Sequence, residues 1–129
     1  MPTIFTKIVN GEIPCFRIAE TEDFLAFLDV NPLAIGHTLV IPKKEEDYLF
    51  DLEDDAFVQL HLFAKKVAIQ LKTKVDCKRI GVAVIGLEVP HAHIHLIPIK
   101  SIDDMNFSRE KLNVSSEELQ QMADKLKLM

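Results

Sequence analysis

Residues 91–99, His-Ala-His-Ile-His-Leu-Ile-Pro-Ile, alternate so strictly that they restrict what the chain can fold into. Alternate side chains share one face of a strand. An extended segment here would send Ala92, Ile94 and Leu96 to one side and His91, His93 and His95 to the other. Such a strand needs partners, and the rest of the sequence offers four. Residues 15–20 and 23–29 read as two strands joined by a tight turn, and a third runs from His37 to Pro42. Residues 78–85 read as the fourth, with Gly86 and Pro90 marking the connection to 91–99.

Helical signals punctuate these strands. Residues 4–9 predict a short helix ended by Asn10-Gly11. Over 54–72, Phe57, Leu60, His61, Ala64, Val67, Ala68 and Leu71 recur at the spacing of one buried stripe. On that stripe His61 reads as a core or interface histidine. Acidic residues open this helix and lysines close it, as its dipole favours. Val58, Leu62, Phe63 and Ile69 are apolar off the stripe, which predicts a second burial partner such as another subunit. Ser115 with Glu118 forms a capping box for a last helix. The order predicts one α+β domain over 1–129, with a mainly antiparallel five-stranded sheet, one long helix, and short N-terminal and C-terminal helices. At 129 residues a single core suffices.

The net charge of −5 disfavours a nucleic-acid partner. No apolar run is long enough to span a membrane, and no signal-peptide pattern opens the chain. Cys15 and Cys77 lack metal or disulfide spacing. The expectation is a cytoplasmic protein without cofactor.

Neutral imidazole is a nucleophile, and neighbouring rings can orient it, bind an oxyanion or protonate a leaving group. The alternating histidines therefore point to phosphoryl chemistry. Histidine is also the commonest metal ligand, so a metal site is the rival reading. His37, directly after Gly36, is the fourth candidate, against a plain turn histidine.

The run GLEVPHAHIHLIPI (86–99), with FLDVNPLAIGHTLVIPKK (27–44) and TIFTKIVNGEIP (3–14), resembles the histidine triad (HIT) superfamily, and most closely its Hint-like branch of nucleotide hydrolases. The resemblance covers residues 3–100 and leaves 101–129 as a C-terminal extension. It implies a HIT-like fold and a hydrolase or nucleotidyl transferase acting at the α-phosphorus of a nucleoside phosphoramidate or related nucleotide. His93 would be the nucleophile, forming a nucleotidyl-histidine. His91 would hold His93 in its productive tautomer, His95 would help the leaving group depart, and His37 would complete a relay behind His91. Asp29 would bind the ribose hydroxyls; its alternative reading is a turn-capping aspartate. Ile4, Phe5, Ile8, Phe27, Leu28, Val30 and Leu39 would wall the base pocket of a purine nucleotide, with plain core as the alternative. The resemblance also implies a homodimer.

Several residues depart from the family's pattern. Thr3 and Thr6 stand where many relatives carry a zinc-binding Cys-x-x-Cys, so no metal is expected. Leu87 replaces a phosphate-supporting glutamine, and leucine cannot donate a hydrogen bond. Glu88, beside the phosphate position, replaces a small polar residue. The stretch before the triad lacks the usual asparagine, and the C-terminal tail has no tryptophan. A nucleotide-binding or interaction protein with little catalysis is therefore the alternative function.

Overall fold

A computed structural model describes residues 2–128. The chain opens with α1 (Ile4–Val9), β1 (Arg17–Glu20), β2 (Phe24–Leu28) and β3 (Thr38–Pro42). It continues with α2 (Asp54–Lys74), β4 (Arg79–Ala83), β5 (Ile94–Ile99) and α3 (Ser116–Leu126). The strands form one sheet in the order β1-β2-β3-β5-β4, and every neighbouring pair is antiparallel. This is the predicted α+β architecture. No helix among the described residues is long and apolar enough to cross a membrane.

The sheet is covered on both faces. Phe24, Ala26, Leu28, Val40, Ile94 and Leu96 pack with Leu60, Phe63, Ala64, Val67 and Leu71 of α2 and with Leu119, Ala123 and Leu126 of α3. Leu25, Phe27, Leu39 and Ile41 pack on the other face with Phe5 and Ile8 of α1. Double burial explains why β2 and β3 read as unbroken apolar runs and not as alternating ones. The capping box at Ser115 is present and starts α3 as expected.

Two expectations are corrected. The buried stripe of α2 is Leu60, Phe63, Ala64, Val67 and Leu71, so Phe63 is core and His61 is exposed. His61 Nδ1 donates to the Phe57 carbonyl at 2.8 Å, and its ring lies 4.4 Å from that of Phe57. The last strand begins at Ile94 and not at residue 91, because the ladder with β3 ends at the Val40–Ile94 pair. Upstream of it, the Ala92 N–H donates to the Glu46 carbonyl at 2.6 Å and the His91 N–H to the Val89 carbonyl at 2.8 Å. Val58, Leu62 and Ile69 of α2 remain exposed, as do Val82 on the edge strand β4 and Val84 and Ile85 just after it.

Gly36 delivers the chain from the 29–35 loop into β3. Its φ is +90°, and a Cβ built there would lie 3.1 Å from Val75 and 3.2 Å from Leu71. A left-handed conformation costs about 1–2 kcal/mol for a residue with a Cβ. Gly36→Ala should therefore lower the unfolding free energy by about 2 kcal/mol in urea titrations. A change within about 0.5 kcal/mol, the range of neutral surface substitutions, would contradict this bend.

Candidate functional site

His95 is the one histidine of the ladder inside a strand. It pairs with Leu39 and shares the α1 face of the sheet. His91 and His93 lie in the irregular stretch before β5. The alternation of sides nevertheless persists, since Ala92, Ile94 and Leu96 all enter the core under α2. The rings of His93 and His95 meet edge to face at 4.9 Å. His91 does not complete a row of three equivalent rings. It is fully buried, with Nε2 against the Pro42 carbonyl at 2.8 Å and Nδ1 against the Thr3 hydroxyl at 2.9 Å.

The hydrogen bonds assign the tautomers. A carbonyl only accepts, so His93 Nδ1 carries the proton that it donates to the His91 carbonyl at 2.7 Å. Its Nε2 keeps a free lone pair. A second chain starts at the Leu33 N–H, which donates to His37 Nδ1 at 3.0 Å. His37 Nε2 must then carry a proton, and donates it to His95 Nδ1 at 2.9 Å. That leaves His95 Nε2 protonated. Two adjacent rings thus present opposite edges, an acceptor on His93 and a donor on His95. His37 stands behind His95, not behind His91 as expected, because the loop after β2 brings it to the β5 side of β3.

Burial is the main reason His37 and His95 stay neutral. It pushes His37 down to about 3 and His95 down to about 4, with the charges of neighbouring histidines and Lys111 adding to it. Burial also lowers His91, against the Pro42 carbonyl and Glu45. His93 retains 6% exposure and His95 9%, whereas His37 retains 1%. The ladder is therefore reached from its His93–His95 end.

Asp29 caps the turn, accepting from the Asn31 N–H at 2.8 Å through Oδ1. Its Oδ2 faces His37 Nε2 at 3.7 Å. Burial holds this carboxyl above its usual range. Asp29, His37 and His95 are the one trio among the described residues whose ligand atoms all lie within 4.8 Å of one another. A metal there would have to displace the 2.9 Å bond between the two imidazoles.

The region 10–102 matches the family model described as HIT domain. The chain is 36% identical over 128 residues to an uncharacterized HIT-like protein of Borreliella burgdorferi, covering 93% of this chain and 92% of that one. It is 38% identical over 96 residues to an adenosine 5′-monophosphoramidase of Saccharomyces cerevisiae, covering 74% and 61%. A crystal structure of a HIT-like protein involved in cell-cycle regulation from Bartonella henselae superposes with a TM-score of 0.83 at 31% identity, covering 97% and 94%.

The chain belongs to the HIT family.

Within this HIT chain the residues expected around a base divide between two places. Phe5 lies 5.0 Å from His93 and 5.6 Å from Phe27, and Ile8 and Leu39 complete that cluster. Ile4 and Val30 are half exposed. Leu28 is a correction: β-strand alternation turns it to the opposite face, into the core under α2 and α3. There it lines a cavity of about 270 Å³ with Pro32, Ile35, Gly36 and α3 residues, which touches Asp29 and His37 but not His93. Glu88 is exposed, and so is Leu87. Thr3 and Thr6 offer hydroxyls, whereas zinc takes thiolates, imidazoles and carboxylates. The Thr3 hydroxyl is taken up by His91, and that of Thr6 donates to Glu45 Oε1 at 2.6 Å. Phe107, 4.9 Å from His95, had no local signal, because it follows the resembling region.

The lowered histidines set a pH dependence. Below pH 6.5 the unfolded chain binds protons that the folded His37 and His95 refuse, so stability falls as pH falls. Raised Asp29 opposes this at the lower end of the range. The urea midpoint should drop between about pH 6.5 and 4.5, with a shallower slope in His95→Gln. A midpoint that is flat or rises as pH drops across this interval would contradict neutral, buried imidazoles.

Proposed function

We propose that this HIT chain hydrolyses a nucleoside 5′-phosphoramidate, or transfers its nucleotidyl group, through a covalent nucleotidyl-histidine on His93. The observation that carries the reading is the pair of opposite tautomers at His93 and His95. His93 Nε2, with Nδ1–H committed to the His91 carbonyl, attacks the α-phosphorus, and an N–P bond forms as the bond to the leaving nitrogen breaks. The Nε2–H of His95 donates a hydrogen bond to that nitrogen, which takes a proton from solvent and departs as an amine. Water then adds its oxygen to phosphorus and releases a proton to solvent. The N–P bond breaks, releasing a nucleoside monophosphate. Asp29 Oδ2 receives the ribose hydroxyls, and Phe5, Ile8, Phe27 and Leu39 support the base, with Ile4 and Val30 at its rim. The name of the yeast relative, an adenosine 5′-monophosphoramidase, supports a purine and this leaving bond.

The exposed apolar side of α2 and the edge strand β4 suit a second copy of the chain, which would extend the sheet and cover Val58, Leu62 and Val82. Sedimentation should report a dimer at micromolar concentration. A monomer under those conditions would remove this part of the reading.

Adenosine 5′-phosphoramidate should be converted to adenosine monophosphate, and His93→Ala should reduce kcat/KM by about 10³-fold or more. Turnover retained in His93→Ala would overturn the covalent route. A purine nucleotide that stabilises the fold while no phosphoramidate is turned over would favour binding without catalysis.

A further inference from the structure

Residues 106–112 follow the region matched by the family model and return to the histidines. Phe107 sets its ring 4.9 Å from His95, edge to face, and 6.4 Å from His37. The segment is tied down at several points. The Leu112 N–H donates to the Pro32 carbonyl at 2.8 Å, and the Arg109 guanidinium donates to the Leu33 carbonyl at 2.7 Å. Arg109 is itself held by Asp103 and Asp104 at 3.2 Å each. Leu33 is also the residue whose N–H fixes the tautomer of His37. The strap and the relay therefore share one anchor.

Lys111 sits on this strap. Its ammonium donates to the Phe107 carbonyl at 2.7 Å and the Arg109 carbonyl at 3.3 Å. An ammonium has three donors, so one remains. Among the described residues no carboxylate lies within ion-pair distance of it, and yet its charge is felt at Asp29, His37 and His95. Carbonyl contacts hold the cation in place without neutralising it. The loop before the ladder offers little of that kind, since Leu87 is apolar and 89% exposed, Pro90 has no N–H and Glu88 is itself anionic.

We propose that residues 106–112 form a leaving-group subsite, with Phe107 as its apolar wall and Lys111 as its cation, and that it selects a leaving group bearing an anionic oxygen, a carboxylate or a phosphate. The inference rests on the reading above, which puts the departing group on the His95 side. It assigns Lys111 a role in specificity and none in bond breaking.

Three adenosine 5′-phosphoramidates test it: those of 3-aminopropanoate, of its isosteric carboxamide, and of 2-aminoethyl phosphate. Both kcat/KM and Kd are measured for each. The anionic compounds should exceed the carboxamide by about tenfold, the size of one charge-assisted contact. Lys111→Gln should bring that ratio close to one, Lys111→Arg should preserve it, and Lys111→Glu should invert it. Preference for only one of the two anions identifies the source of the charge and supports the subsite. Equal values for all three compounds in the natural chain, or a ratio unmoved by Lys111→Gln, would overturn it. Absence of turnover for all three would sink the catalytic reading alone, because the Kd ratio still decides the subsite.

Discussion

The hydrogen bond from His93 Nδ1 to the His91 carbonyl joins the backbone to the chemistry. It exists because the ladder between β3 and β5 stops at Ile94, one residue beyond His93. The His91 carbonyl therefore has no strand partner in that ladder and turns to the ring two residues on. Burial of Ala92 and Ile94 under α2 holds the surrounding backbone, and the Thr3 hydroxyl and Pro42 carbonyl clamp the His91 ring. An imidazole whose Nδ1 proton is committed in this way has one possible nucleophilic atom, and it is the one that faces out.

The partner ring is prepared by the opposite route. A backbone N–H at Leu33 forces His37 to donate through Nε2, and His37 in turn forces His95 to donate outward. Neither relay uses a charge. Burial keeps the His37 and His95 rings neutral, so the outer ring presents an uncharged donor. A hydrogen-bonded clasp of Thr3, Thr6, Glu45 and His91 holds α1 to the ladder. Phe5 of the same helix then rests against His93.

Much of this was legible in the residues. The α+β order, the antiparallel sheet, the capping box at Ser115 and the two sides of the 91–96 segment all follow from local patterns. Other features were not legible, for physical reasons. The start of β5 depends on where a distant strand stops pairing, which His91 and Ala92 do not encode. Leu28 and Leu39 look alike as apolar residues, and only strand register sends them to opposite faces. His61 sits on the helix surface because the sheet meets α2 along Leu60, Phe63 and Ala64, a rotation of the stripe by part of a turn. The partner of His37 is fixed by the loop path from Asp29 to Gly36, and Phe107 and Lys111 reach the histidines through tertiary contacts with Pro32 and Leu33.

The tautomers are the most direct point of decision. Long-range proton–nitrogen NMR correlation on the uniformly labelled protein near neutral pH reads which nitrogen of each ring carries hydrogen. The structure predicts Nδ1–H for His93 and Nε2–H for both His37 and His95. An Nε2–H form of His93, or an Nδ1–H form of His95, would contradict the arrangement on which the chemistry depends.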